Sequence, residues 1–168
     1  EEIPKDWDFV SISETGKIIG GGTPDTTKLE YWEDGNISWY TPEELTKLES
    51  NFVKDSKRKI TQKGLDKSSA KILQKGTILI TTRATIGNCA ISENKVTTNQ
   101  GFQNLEVNKN HNNLFLMYSI RYNKRRLMQY AQGTTFLEIN KTNLGKIKIP
   151  CPNNVQEEEK IGLILSNI

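Results

Sequence analysis

Helical and extended sequence patterns are unevenly distributed along this chain, and this contrast constrains its fold more than any other feature. Residues 114–132 carry apolar side chains at helical spacing, so that one face can be lined by Leu116, Ile120, Leu127 and Tyr130. Before this segment, the apolar residues occur in short runs, such as residues 78–80, between glycine and proline turns. We therefore predict a mixed α/β fold in which a small twisted sheet is supported by helices.

The C-terminal part of the chain predicts a further element outside this domain. Residues 144–149 alternate as in a short strand, and the Pro150-Cys151-Pro152 segment closes it. Helical periodicity resumes at residue 156 with near-heptad spacing of isoleucines. We therefore expect one domain over residues 1–152, followed by the beginning of a long coiled-coil-type helix at residues 153–168.

Charge is unevenly distributed, although the formal net charge is only +3. Residues 1–49 hold 4 Lys or Arg against 12 Asp or Glu, whereas residues 50–83 hold 9 against 2 and residues 117–149 hold 7 against 1. Two basic segments can form a single positive face, which attracts phosphates and releases counterions on binding. A solvated surface of uneven charge is the alternative interpretation.

The reactive residue types do not form an enzyme-like pattern. The single histidine, His111, lies in an asparagine-rich segment, and the Cys and His spacing does not match metal ligation. The sequence contains neither a P-loop nor a dinucleotide fingerprint. Asp25 and the Asp55-Ser56-Lys57 segment resemble a metal-dependent nuclease pattern, but Asp55 lies in a basic, polar stretch rather than at a strand end. We therefore expect no catalytic site, no metal and no cofactor.

Cysteine usage and hydropathy bear on the cellular compartment. The two cysteines, Cys89 and Cys151, do not form the dense pattern of a secreted disulfide scaffold. No apolar run approaches the length of a membrane span, and no signal-peptide pattern occurs. We expect a cytoplasmic protein.

Residues suited to reading DNA cluster after the run at residues 77–82. Arg83 can contact a guanine edge with two hydrogen bonds, and the amides of Asn99 and Gln100 are of the type that reads adenine. Lysines and short hydroxyl side chains suit phosphates. Each residue alone is more often structural, but the set favours DNA binding. The predicted DNA-binding residues are Lys57, Arg58, Lys59, Lys63, Lys67, Ser68, Ser69, Lys71, Arg83, Thr85, Asn99, Gln100, Thr134, Thr135 and Lys141.

An ordered series of motifs also carries a family resemblance. The motifs are Gly21-Gly22-Thr23-Pro24, Gly35-Asn36-Ile37-Ser38-Trp39, Thr41-Pro42-Glu43-Glu44-Leu45, Asn99-Gln100-Gly101-Phe102, Gly133-Thr134-Thr135 and Ile149-Pro150-x-Pro152. The series resembles the target recognition domain of specificity subunits from type I restriction-modification systems. The match extends over almost the whole chain.

This resemblance implies a function and a set of partners. Specificity subunits lack a catalytic site, and each recognition domain reads one half of a split double-stranded DNA target. They assemble with modification (methyltransferase) subunits and an ATP-driven restriction subunit, and residues 153–168 would begin the spacer helix. With one recognition domain, the chain would be a fragment or a half-size subunit that dimerises through this helix. A protein-interaction module without DNA binding is the alternative, and a metal-dependent nuclease is the third reading.

Overall fold

The strands form three small sheets in the computed structural model, which describes residues 2–168. The central sheet has the order β2 (Gly16–Gly20), β9 (Gln103–Val107), β6 (Ile78–Ile80), β7 (Cys89–Ser92) and β4 (Phe52–Val53). A second sheet has the order β5 (Arg58–Ile60), β3 (Ile37–Tyr40) and β8 (Thr97–Thr98). The third pairs β1 (Trp7–Ser11) with β10 (Lys148–Pro152). The mixed α/β prediction is confirmed, although the sheet is divided into three.

Helices lie between and around these sheets. They are α1 (Ile12–Thr15), a 3₁₀ turn (Leu29–Tyr31), α2 (Pro42–Thr46), α3 (Gln62–Asp66), α4 (Asn113–Tyr122), α5 (Lys124–Gln129), α6 (Lys141–Lys146) and α7 (Val155–Ser166). Within residues 2–168, none of them combines the length and apolarity needed to cross a membrane.

Strand β6 is at the centre of the core because both of its faces are covered. Ile78, Leu79 and Ile80 are all completely buried. Ile78 and Ile80 pack in the cluster that contains the buried face of α4, whereas Leu79 packs in a separate cluster with Phe102. Successive side chains of β6 therefore pack into two different hydrophobic clusters, because they point to opposite faces of the pleated strand.

The helix predicted over residues 114–132 is wrong in its extent, because it is divided into α4 and α5. Asn123 lies between them, and its side-chain Nδ2 donates to the Ser119 carbonyl at 2.8 Å. Such a side-chain bond to the preceding turn competes with a continuous helix. The predicted apolar face is correct for Leu116, Ile120 and Leu127, which are completely buried, but wrong for Tyr130, which is 40% accessible after the helix has ended.

The predicted strand over residues 144–149 is also displaced. Leu144 belongs to α6, which begins after Asn140 because the Asn140 Oδ1 accepts from the Asn143 backbone N at 2.8 Å. The strand is β10, and it includes Pro150 and Pro152. Both prolines are tolerated because β10 pairs on one side only, with β1.

Helix α7 is anchored to the domain at its first turns. Asn154 caps it by accepting from the Glu157 backbone N at 2.8 Å, and Trp7 Nε1 donates to Glu157 Oε1 at 3.0 Å. The next residue, Glu158, is completely buried where α7 packs on α4. Beyond this anchor the helix becomes exposed, and Ile164 and Ile168 are 62% and 96% accessible.

Candidate nucleic-acid interface

A glycine-rich loop is held tightly against the segment that follows β8. The Gly22 backbone N donates to the Thr98 carbonyl at 2.9 Å, and Thr23 Oγ1 donates to Gln100 Oε1. A Cβ at Gly21 would lie only 1.9 Å from the Asn99 carbonyl oxygen. Glycine is required here because the two backbones approach too closely for any side chain.

The same loop packs on the turn that follows α3. A Cβ at Gly22 would meet Ser69 Oγ at 2.3 Å, and Ser68 Oγ accepts from the Ala70 backbone N at 3.3 Å to hold that turn. Ala70 is buried, whereas Ser69 is exposed. The glycine loop thus joins Ser69 to the Gln100 segment.

An aromatic cluster supports this loop from the three-stranded sheet. Trp39 is buried, and its Nε1 donates to the Gly22 carbonyl at 2.9 Å. Trp32 meets Trp39 edge-to-face with ring centroids 5.0 Å apart. The Arg58 guanidinium lies 4.1 Å from the centroid of the Trp32 ring and 4.8 Å from that of Trp39. Arg58 therefore makes a cation–π contact that supports the loop.

Arg83 is joined to the Gln100 segment through the backbone. The Thr82 backbone N donates to the Gly101 carbonyl at 2.9 Å, and the Ile139 backbone N donates to the Thr82 carbonyl at 3.2 Å. Thr82 and Ile139 are completely buried. Arg83 itself is half exposed, with its Nε 3.0 Å from Glu138 Oε1. The fixed backbone therefore projects the guanidinium outward while one carboxylate orients it.

A shallow depression of about 510 Å³ lies beside the glycine loop, and basic side chains border it. Ser69, Lys71 and Lys141 line it together with Lys17 and the glycine loop. The three lysines are exposed, and none has an ion-pair partner among residues 2–168. These contacts define the candidate interface: residues 20–23, Ser69, Lys71, Arg83, Gln100 and the segment 133–141.

Several predicted DNA-binding residues have other contacts in the structure. Lys59 Nζ lies 3.0 Å from Asp55 Oδ2, and hydrogen bonds from Lys59 and then Ser38 lower the pKa of Asp55. Lys63 Nζ pairs with Glu30 Oε2 at 2.7 Å, and this hydrogen bond raises the pKa of Lys63. Both lysines are therefore partly neutralised by acidic neighbours.

The geometry of β5 places Arg58 and Lys59, which are neighbours in the basic segment, on opposite faces of the strand. Arg58 pairs with Trp39 and Lys59 with Ser38 in the β3–β5 ladder. Successive strand residues point to opposite faces, so Arg58 and Lys59 cannot share one binding face.

The remaining predicted residues differ in exposure and contacts. Thr134 and Thr135 are exposed in the loop before Glu138, and Lys67 is exposed directly after α3. Two others contact α2, since the Lys57 backbone N donates to Glu44 Oε1 at 2.9 Å and Thr85 Oγ1 is 3.1 Å from Thr46 Oγ1.

The Asn99 side chain is used within its own turn. Its Oδ1 accepts from the Gly101 backbone N at 2.8 Å, and the residue is half-buried. This hydrogen bond shapes the turn that presents Gln100.

Sequence reasoning missed four residues of this surface. Thr23 bonds to Gln100, Lys17 borders the depression, and Phe136 and Leu137 project beside Arg83. The sequence does offer a signal for Thr23, because this hydroxyl residue directly follows the glycine run. No sequence signal marks Lys17, and an aromatic residue such as Phe136 is ordinarily assigned to the core.

Two sets of residues could be considered for metal binding: the carboxylates of the nuclease-like pattern, and one group of neighbouring potential ligands. Asp25 Oδ1 accepts from both the backbone N and the hydroxyl of Thr27, whereas Asp55 binds Ser38 and Lys59. These carboxylates have separate partners. In the described part of the chain, one group of potential ligand atoms lies within 4.8 Å: those of His111, Cys151 and Glu158. There, His111 Nδ1 and Glu158 Oε1 are hydrogen-bonded to each other at 2.8 Å.

Comparison with known sequences identifies relatives that are similar to this chain over nearly all of its length. The specificity subunit of the type I restriction enzyme MjaIX from Methanocaldococcus jannaschii is 38% identical over 167 residues, which is 98% of this chain and 38% of that subunit. The EcoR124I/EcoR124II specificity subunit from Escherichia coli is 28% identical over 164 residues, covering 94% of this chain and 40% of its own length. The chain thus spans about two fifths of these relatives.

Solved structures share the fold at lower sequence identity. The HsdS subunit from Thermoanaerobacter tengcongensis has a TM-score of 0.72 at 20% identity, with 99% of this chain and 38% of that chain covered. A chain from a study of complex assembly and conformational transition of the type I R-M system has a TM-score of 0.75 at 20% identity, covering 99% and 39%. The family model of the type I restriction modification DNA specificity domain matches residues 4–168. This chain therefore belongs to the type I restriction modification DNA specificity domain family.

Proposed function

We propose that this chain recognises one half of a split double-stranded DNA target for a type I restriction-modification complex and itself has no catalytic role. The observation that carries the proposal is the candidate interface. It gathers Ser69, Arg83 and Gln100 from three separated segments and borders them with the unpaired Lys71 and Lys141. Short polar groups surrounded by cations suit base edges flanked by phosphates.

Arg83 is the residue that we assign to direct base readout. Its Nε is occupied by Glu138, so the two terminal nitrogens remain as a pair of parallel donors. Guanine presents O6 and N7 as two acceptors in the major groove, which matches that pair. Gln100 Nε2 is a further donor, since only the Oε1 of this side chain accepts from Thr23.

The lysines and hydroxyl groups are assigned to the phosphates. Lys71, Lys141 and Lys67 are exposed, and Ser69, Thr134 and Thr135 present hydroxyl groups to solvent. Lys57, Lys59 and Lys63 remain predictions as phosphate contacts at the outer edge. Lys59 and Lys63 must exchange an intramolecular carboxylate for a phosphate, which reduces the gain from each.

The partners and domain organisation follow by analogy with the relatives, which are named as specificity subunits of type I restriction enzymes. We propose that the chain works with modification and restriction subunits in the cytoplasm, where chromosomal DNA is available to it. Residues 1–152 would form the recognition domain and residues 153–168 the start of the spacer helix. A second recognition domain, or a homodimer through this helix, would supply the other half-site.

Binding to DNA tests the proposal directly. A duplex selected by the parent chain from a random-sequence library is labelled, and fluorescence anisotropy is measured between 50 and 200 mM salt. We expect Arg83→Ala to weaken binding by about 1–3 kcal/mol and to relax discrimination at one base pair. Arg83→Lys keeps the charge, so it should retain the salt slope but lose that discrimination.

Lys71→Ala provides the complementary measurement of phosphate contact. It should weaken all duplexes alike and reduce the slope of log K against log salt by about 1. Lys109→Ala is the matched control, because Lys109 is an exposed lysine in the loop before α4. If the parent chain selects no duplex and shows no salt-dependent binding, the protein-interaction alternative replaces DNA recognition.

A further inference from the structure

The loop beside Arg83 exposes two large apolar side chains. Phe136 is 84% accessible and Leu137 is 48% accessible. Exposing two adjacent apolar side chains is unfavourable in water unless a binding partner covers them. Their position next to a guanidinium group of the candidate interface suggests which partner this is.

The base of this loop is fixed by several contacts. Gln132 and Glu138 exchange two backbone hydrogen bonds, at 2.8 and 2.9 Å. Gly133 has a φ of +125°, and a Cβ there would lie 2.1 Å from the Phe136 carbonyl oxygen, so the loop is too narrow for a side chain at that position. Ile139 is fully buried directly after the loop. Residues 133–137 therefore form a short projection on an anchored base.

The groups around the tip combine apolar and DNA-binding chemistry. Arg83, Thr135, Phe136, Leu137 and Glu138 surround a cleft of about 610 Å³. An aromatic ring with an aliphatic neighbour can enter a base stack, and an adjacent arginine can hold the base edge or phosphate on either side. The ring is not packed against the rest of this domain, since Phe136 is 84% accessible.

We propose that Phe136, supported by Leu137, inserts between two base pairs of the target half-site and unstacks that step. This inference rests on the proposed function, because it needs a bound duplex. The cost of opening a base step depends on its sequence, so insertion adds discrimination at bases that no hydrogen bond reads. Phe136 would then be a specificity-determining residue that acts through DNA deformation.

Fluorescence of 2-aminopurine tests insertion. The selected duplex is prepared with 2-aminopurine at successive positions, and the fluorescence of each version is measured with the chain bound. We expect the parent chain to raise the fluorescence at one step, where stacking is lost. Phe136→Ala should abolish that rise and weaken binding by roughly 10-fold or more, and the salt slope should stay unchanged because no charge is removed. Phe136→Trp should retain the rise.

The controls separate this inference from the proposed function. Tyr122→Ala removes an aromatic side chain that is 88% accessible at the end of α4, and it should change neither affinity nor fluorescence. If the parent chain selects a duplex but no position responds, or Phe136→Ala behaves as the parent, the insertion is refuted and DNA recognition stands. A weakened Phe136→Ala whose effect is reproduced by replacing thymine with deoxyuridine would also refute it, in favour of contact with a methyl group.

Discussion

Replacement of Glu158 by alanine is expected to loosen the anchor of α7 and to destabilise the whole domain. Glu158 is completely buried, with Oε1 2.8 Å from His111 Nδ1 and Oε2 accepting from the Asn112 backbone N at 2.6 Å. Alanine leaves both of these partly buried groups without their partner. Each unsatisfied group costs about 1–3 kcal/mol, so the two groups together cost roughly 2–6 kcal/mol. We therefore expect a loss in the middle of this range, about 3–5 kcal/mol.

Two matched variants define the origin of this loss. Glu158→Gln keeps an oxygen for the Asn112 backbone N and an amide for His111, so we expect it to lose less than half as much stability. Glu159→Ala removes a carboxylate from the next residue of the same helix, where the side chain is exposed. Exposed substitutions of this kind change stability by less than about 0.5 kcal/mol.

Urea unfolding, followed by far-UV circular dichroism and tryptophan fluorescence, provides the measurement. With a slope of about 2 kcal/mol/M, the expected loss lowers the Glu158→Ala midpoint by about 1.5–2.5 M. Trp7 reports the anchor itself, because its Nε1 bonds to Glu157. A Glu158→Ala midpoint equal to that of Glu159→Ala would refute the reasoning that the buried carboxylate anchors α7.

Two further perturbations probe the glycine loop and the core. Gly21→Ala should lower stability by about 1–3 kcal/mol and abolish DNA discrimination, because its Cβ would overlap the Asn99 carbonyl oxygen. Gly20→Ala is the control for stability, because its Cβ would lie 3.5 Å from Gln103 Oε1, an ordinary contact, and it should change stability by less than about 0.5 kcal/mol. Burial raises the pKa of the Cys89 and Cys151 thiols from 9.0 to about 12, so Ellman's reagent at pH 8 should modify them only in urea, and rapid modification of the native chain would contradict this. Because the pKa values of both thiols are higher in the folded chain than in the unfolded chain, the stability that the neutral thiols contribute is complete below pH 9. This stability is lost as the pH rises towards 12.

Local signals in the sequence predicted the elements that depend on local physics. The apolar run at Ile78–Ile80 is a strand, and α2 starts at Thr41-Pro42 because proline suits the first helical turn. The break at Asn123 was not predicted, since asparagine at that position is compatible with a continuing helix until its side chain bonds to the Ser119 carbonyl. The sequence period identifies a helical face, but it does not identify such competition.

Long-range pairing explains what the sequence could not predict about the sheets. Strand β2 pairs with β9, and β1 pairs with β10, although each pair lies far apart along the chain. The alternation of apolar and polar residues indicates that a strand has a buried face, but it does not identify the neighbouring strand. The division into three sheets therefore emerged only from the structure.

The candidate interface shows the same limit at the level of single residues. Arg83 and Gln100 were identified because their chemistry suits base edges, and the structure places their segments side by side through Thr82 and Gly101. The lysines around residue 58 share only their proximity in sequence, which does not show that they share a face. The alternation of β5 separates Arg58 from Lys59, Asp55 four residues earlier pairs with Lys59, and Glu30 from a distant segment pairs with Lys63.

A common design links the exposed residues of the candidate interface to the core. Arg83 follows the buried Thr82, Gln100 precedes the buried Gly101, and Ser69 precedes the buried Ala70. Each exposed side chain is thus positioned by a buried neighbour, while its own atoms contribute little to packing. Substitutions at the exposed positions should therefore change which DNA sequence is bound, whereas substitutions at their buried neighbours should reduce stability. Because these two effects reside in adjacent residues, the proposed function predicts that substitutions can change the DNA target without loss of the fold.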